Sequence, residues 1–119
     1  MANEQLAHIA SVRLGRGGYQ DAMFGVSFTF RSGSMGVGDF WGFWDWSTPV
    51  SERAQWNEAD RIALVAEWVE RLAHVMRLAQ KEEVHDLVGV PVALSFERGP
   101  VLGGQLTSWR VLTEVIPNA

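Results

Sequence analysis

The sequence predicts an α+β domain in which one long helix packs on one face of a single, mostly antiparallel five-stranded sheet. Three observations predict it. Residues Asp21 to Arg31 alternate, with Ala22, Phe24, Val26, Phe28 and Phe30 on one side and Met23, Ser27, Thr29 and Arg31 on the other, as a half-buried antiparallel strand does. Between Asn57 and Lys81 the apolar residues recur every three or four positions, the period of a helix. Alternation then returns twice, over Val90 to Arg98 and over Gln105 to Ile116, giving the order β-β-β-α-β-β. A helix laid across one face of such a sheet buries the apolar side of both. The chain, 1–119, reads as one domain, long enough to build a core without cross-links.

Residues 1–7 are expected to form a flexible N-terminus. His8 to Leu14 makes the first strand, with Ala10, Val12 and Leu14 opposite Ser11 and Arg13, and it ends in the turn Gly15-Arg16-Gly17-Gly18-Tyr19. After the second strand, Ser32-Gly33-Ser34 forms a tight connection and the chain returns as a hairpin. The returning stretch from Ser34 to Trp46, SMGVGDFWGFWDW, is the most unusual in the chain. As a strand it sends Phe40, Trp44 and Trp46 one way and Trp41 and Phe43 the other, so both faces are aromatic. Gly36, Gly38 and Gly42 share the face of Phe40, where glycine marks a bend or a close approach.

From Ser47 to Gln55 the chain turns polar, with Thr48-Pro49 as a break. Asn57 caps the helix, Glu58 and Asp60 suit the positive end of its dipole, and Arg77 and Lys81 suit the negative end. Ile62, Val65, Val69, Leu72 and Met76 form the expected buried stripe, beside a second set of Leu64, Trp68, Val75 and Leu78. Together they cover half the circumference or more, so part of the helix is expected to pack on another subunit or on the long loops. Glu82 to Gly89 connects to the fourth strand, which points Val92, Leu94 and Phe96 inward. Gly99-Pro100 and Gly103-Gly104 supply turns, and the last strand sets Trp109, Val111 and Val115 opposite Leu106, Arg110, Leu112 and Ile116.

Composition removes several classes of function. With no cysteine there is no disulfide scaffold, thiolate metal site or cysteine nucleophile. The amino terminus shows no basic segment before an apolar run, and no stretch is apolar for long enough to span a membrane, so the chain reads as soluble and cytoplasmic. A net charge of -4 argues against general nucleic-acid binding. Nine of the ten basic residues are arginine, which forks onto phosphate and carboxylate and stacks on rings; a GC-rich genome would give the same bias. Six tryptophans are the stronger anomaly.

No catalytic or cofactor pattern emerges, and an enzyme is not expected. Gly36-Val37-Gly38 followed by Gly42 misses the spacing of a dinucleotide fingerprint, and no helix follows it. His74 falls on the polar face of the helix among Glu67, Glu70 and Arg77, and His85-Asp86 has no second histidine at metal-ligand spacing. No serine lies in a G-x-S-x-G context. Asp39 and Asp45, on one face of a strand, would lie about 20 Å apart, too far for a paired-carboxylate site. Binding chemistry remains. Trp41, Trp44 or Trp109 can stack on a flat ring, and Arg13, Arg31 and Arg110, with Arg16 and Arg98, can neutralise phosphate, so rings and guanidiniums are expected to converge on one sheet face. The alternative is that the tryptophans fill the core and an oligomer interface.

The opening Val12-Arg13-Leu14-Gly15, the glycine-rich aromatic hairpin, the single helix and the entry Leu87-Val88-Gly89-Val90-Pro91-Val92 into the closing strands together resemble small uncharacterised bacteriophage proteins. More distantly the layout is similar to the phage anti-Thoeris sponge proteins, which sequester cyclic ADP-ribose-type immune signals. This resemblance covers most of the chain, rests on element order and short glycine-aromatic patterns, and carries over no pocket residue. It implies a phage-encoded, non-enzymatic homo-oligomer, assembled through the helix and the aromatic strand. In the cytoplasm of an infected bacterium it would hold a cyclic ADP-ribose-type or cyclic oligonucleotide signal without consuming it. The alternatives are an anti-CRISPR-like inhibitor that acts on a host protein complex, a phage accessory subunit, or a small cyclic-nucleotide hydrolase.

Overall fold

A computed structural model describes residues 4–48, 50, 56–97 and 106–116, the Tyr19 side chain excepted. The α+β class holds. Strands β1 (Glu4–Gly17), β2 (Met23–Ser32) and β3 (Met35–Trp44) precede helix α1 (Glu58–Ala79), and β4 (Pro91–Phe96) and β5 (Leu106–Val111) follow it. They form one sheet in the order β3-β2-β1-β4-β5, with every neighbouring pair antiparallel.

β1 is longer than its alternation predicts. Glu4 to Ala7, expected outside the sheet as a flexible end, pair with Ser95 to Val92 of β4. A bulge between Ile9 and Ser11 breaks the two-residue period, so Ile9 and Val12 fall on the core side while Ala10 is the extra residue. Ser32 and Met35 pair across the two-residue turn Gly33-Ser34, and Gly33 takes a φ of 61°, which costs a glycine nothing sterically. Pro49, Gly99-Pro100 and Gly103-Gly104, read as breaks or turns from composition, and Arg98, read as a strand-end phosphate ligand, lie outside the described residues.

α1 begins at a reciprocal cap: the Asn57 side chain accepts from the Asp60 N–H at 2.9 Å, and the Asp60 carboxylate accepts from the Asn57 N–H at 2.9 Å. It ends at Ala79, where Gln80 turns left-handed. Its core-facing line is rotated from the expected stripe. Leu72, Val75 and Ala79 are buried against Ile9, Val26, Phe28, Phe30 and Leu94, whereas Ile62 and Val69 are 61% and 49% exposed. The true line runs between the two predicted sets and has Arg61 at its head.

β5 stops at Val111, and Val115, expected in the last strand on the face of Trp109 and Val111, sits exposed in a short 3-10 turn. Trp109 of β5 and Trp41 of β3 come from opposite edges, yet their ring centroids are 5.2 Å apart. Four flat strand spacings would separate those backbones by about 19 Å. The long indoles span part of that distance, and the sheet curls toward its core face to close the rest.

Candidate functional site

On the core face the two edge indoles are tied together by one carboxylate. Trp41 Nε1 and Trp109 Nε1 both donate to Asp39 Oδ2, at 3.0 and 2.9 Å, and Asp39 Oδ1 accepts the Phe40 N–H at 2.9 Å. Asp45 N–H donates to the Ala22 carbonyl, so the odd-numbered residues of β3 direct their backbone toward β2 and the Phe40 N–H faces the open edge. Asp39 therefore caps that edge as it bridges the indoles. The rings lie nearly parallel at 10°, Phe28 meets each edge-on, and the Arg71 guanidinium lies 4.3 Å from the Trp41 ring centre. Trp41 is only 7% exposed, and these neighbours occupy the ring surface that a base would need.

A second aromatic group closes the start of the helix. Arg61, 2% exposed, lies between Trp46 and Trp56, with its guanidinium carbon 5.2 and 4.7 Å from their ring centres. It donates to the carbonyls of Asp45 at 3.2 Å and Thr48 at 2.6 Å, pinning the segment after β3 to α1. Trp44 stacks on Trp56 at 5.6 Å. Trp46 lies beyond the strand and packs 5.3 Å from Phe43, a core-face residue, instead of sharing the side of Phe40. The sequence reading passed over Arg61; the available signal was an arginine in line with Trp68, Leu72, Val75 and Ala79 at helical spacing.

The arginines lie elsewhere. Alternation puts Arg13, Arg31 and Arg110 on the sheet face away from α1, opposite Trp41 and Trp109, so the expected convergence of these rings and guanidiniums does not occur. Arg110 pairs with Glu4 at 3.0 Å and Glu114 at 3.3 Å. Those bonds raise its pKa, and the hydrogen bond from Arg110 holds the Glu4 carboxyl below its ordinary value despite some desolvation. Arg16 pairs with Asp45 at 2.7 Å. The Asp45 pKa is lowered first by the Ser47 hydroxyl and further by the Ser47 N–H and by Arg16.

Arg13, which donates to the Arg16 carbonyl, and Arg31 lie exposed on a surface that no described residue covers. Across β3, β2 and β1, Phe40 pairs with Ser27 and Ser27 with Arg13. Their side chains converge over Gly17: a Cβ there would stand 3.1 Å from the Phe40 ring, 3.3 Å from the Arg13 guanidinium and 3.3 Å from the Ser27 hydroxyl. Phe40 also lies across Gly42, where a Cβ would overlap its ring. Four residues farther along β2, about 13 Å away, stands Arg31, whose side chain makes no ion pair or hydrogen bond among the described residues. Between them the face carries Ser11, Thr29 and Gly38, with Gly36 and His8 beside Arg31. The strand residues of β1 from His8 onward, β2 and β3 place no carboxylate on this face, although the whole chain is acidic.

Other candidates fit less well. The cleft between β3 and α1, lined by Phe40, Trp41, Trp68 and Arg71 among others, holds about 200 Å³, below the range of about 300–1,000 Å³ for pockets that enclose a drug-sized ligand. Glu83, His85 and Asp86 bring possible ligand atoms within 4.8 Å of one another, but all three are exposed on a short turn. Among the described residues no helix is long and apolar enough to cross a membrane.

Fold and site together define an α+β domain with one long helix and a sheet face that, among the described residues, is exposed and locally cationic around Arg13 and Arg31. Comparison with known protein families, curated proteins and solved structures finds no match.

Proposed function

We propose that this chain is a non-enzymatic binding protein that sequesters a cyclic or phosphorylated nucleotide, held on the uncovered sheet face. The observation that carries this reading is the convergence of Phe40, Arg13 and Ser27 over Gly17, with Arg31 farther along the same face. Phe40 supplies a ring for a base to stack on, the hydroxyls supply donors to sugar or phosphate, and two arginines supply forked contacts to phosphate. Their spacing of about 13 Å suits an extended ligand with charge at more than one point. Trp41 and Trp109, engaged with each other and with Asp39, act as the scaffold behind this face. The nucleotide class follows from the resemblance to anti-Thoeris sponges, and the phage setting and the sequestering role belong to the same reading.

Equilibrium dialysis against cyclic ADP-ribose isomers, cyclic dinucleotides and cyclic trinucleotides tests it, with bound ligand released by heat and identified by chromatography. The reading expects saturable binding of at least one compound, recovered intact, and about tenfold or greater weakening in Arg13→Ala or Arg31→Ala. Conversion of the bound compound would assign an enzyme instead. Absence of binding across the panel would remove the nucleotide class.

A further inference from the structure

The small cleft where the β3 edge meets α1 is lined by polar groups that lack partners. The parity that exposes the Phe40 N–H also turns the Gly42 N–H and carbonyl to the open edge, and Gly42 lines this cleft. α1 supplies the opposite wall with Leu64, Glu67, Trp68 and Arg71. The Trp68 indole N–H is buried and has no hydrogen-bond partner among the described residues, whereas the indoles of Trp41 and Trp109 share Asp39. Buried donors are nearly always paired, so an unpaired one beside a cleft marks a missing acceptor. The Arg71 guanidinium is held 4.3 Å from the Trp41 ring centre, and its one ionic neighbour among the described residues, Glu67, stands off at 3.8 Å without a hydrogen bond.

We propose that this cleft binds a small apolar α-carboxylate, either a free amino acid or the last residue of a peptide. A carboxylate has acceptors enough for the Trp68 N–H and the Arg71 fork together. That indole N–H is closed to water, so the carboxylate reaches it through a small rotation of the ring. The Gly42 edge offers one donor and one acceptor to the ligand's own main chain, as in strand addition, and Leu64 offers apolar surface to its side chain. Asp39, by capping the Phe40 N–H two residues along, stops an incoming strand from pairing further. The site therefore takes a chain end and not an internal segment. Its volume of about 200 Å³ agrees, since drug-sized ligands fill about 300–1,000 Å³. Neither Arg13 nor Arg31 lines the cleft, so this site stands independently of the nucleotide reading.

An indole and amide ¹H–¹⁵N NMR titration of the full chain with N-acetyl-leucine, N-acetyl-leucinamide and leucine tests this. The Trp68 indole N–H and the Gly42 amide are expected to shift together and saturably with at least one of the two acids, at a Kd of about 1 mM or tighter. The neutral amide should bind at least about tenfold more weakly. Trp68→Phe keeps a ring and removes the donor, and Arg71→Met keeps the chain and removes the charge. Each should weaken binding of the acid about tenfold, with an unchanged far-UV circular dichroism spectrum. Tighter binding of N-acetyl-leucine identifies a peptide end whose amide N–H the Gly42 carbonyl accepts, and tighter binding of leucine identifies the free amino acid, with its ammonium on Glu67. No saturable shift with either acid at about 10 mM overturns the proposal. An amide that binds as well as the acids, or binding indifferent to both variants, also overturns it.

Discussion

Replacing Asp39 by alanine removes the one acceptor shared by Trp41, Trp109 and the edge N–H of Phe40. Hydrogen bonds to a charged acceptor contribute roughly 1.5–3 kcal/mol each, and donors left unpaired in a half-buried site add a desolvation cost. The three bonds share one group and do not add, so the expected loss is about 3–5 kcal/mol. That is a large part of the roughly 5–15 kcal/mol that holds a domain of this size. Asp39→Asn is the sharper test. One carboxamide oxygen can serve either the indoles or the Phe40 N–H, while its NH2 faces the other donors, so this variant should lose about 2 kcal/mol. Urea unfolding followed by far-UV circular dichroism measures both, with stability compared at unchanged m. If both variants fall within about 0.5 kcal/mol of wild type, the carboxylate does not tie the sheet edges together.

Gly25→Ala is expected to lose about 3 kcal/mol in the same assay, because its Cβ would overlap the Trp41 carbonyl and the Gly42 backbone. Gly36→Ala, whose Cβ would stand 3.9 Å from the Phe30 carbonyl, should stay within about 1 kcal/mol, on the stabilising side. Arg61→Lys keeps the charge but not the fork that reaches two carbonyls between two indoles, so it should cost about 2 kcal/mol. Glu4, held below its ordinary pKa by Arg110, contributes stability that is present above its unfolded pKa and is lost as pH falls through its lowered folded value. A carboxyl NMR titration should show that depression, and Arg110→Ala should abolish it; an ordinary Glu4 titration in the wild type would contradict the pairing.

The parts of the fold that were legible in the sequence are those where one period runs unbroken. β2, with Phe24, Val26, Phe28 and Phe30 on its core side, and the cap at Asn57 follow from local rules. The start of β1 was hidden because the bulge at Ile9 to Ser11 changes the parity between its halves, so alternation read from Ala10 onward did not extend back to Glu4. The helix stripe was set too far round because Ile62 and Val69 are apolar without being core, and the buried Arg61 at the head of the true line is not apolar. The candidate site was legible only in part. Arg13 and Arg31 could be placed on a face by alternation, but the pairing of Trp41 with Trp109 across opposite sheet edges depends on strand order and curl, which spacing does not encode. Asp39 gave no signal of its role, since a carboxylate between aromatic residues reads equally as solvent-facing.

The most direct measurement is an amide and indole ¹H–¹⁵N NMR titration of the full chain with cyclic ADP-ribose isomers and cyclic dinucleotides. Shifts are expected to cluster on Ser11, Arg13, Ser27, Thr29, Arg31, Gly36, Gly38 and Phe40, with the indole N–H signals of Trp41 and Trp109 unmoved because both stay bonded to Asp39. Shifts centred on those two indoles, with the open sheet face silent, would contradict the proposed binding face.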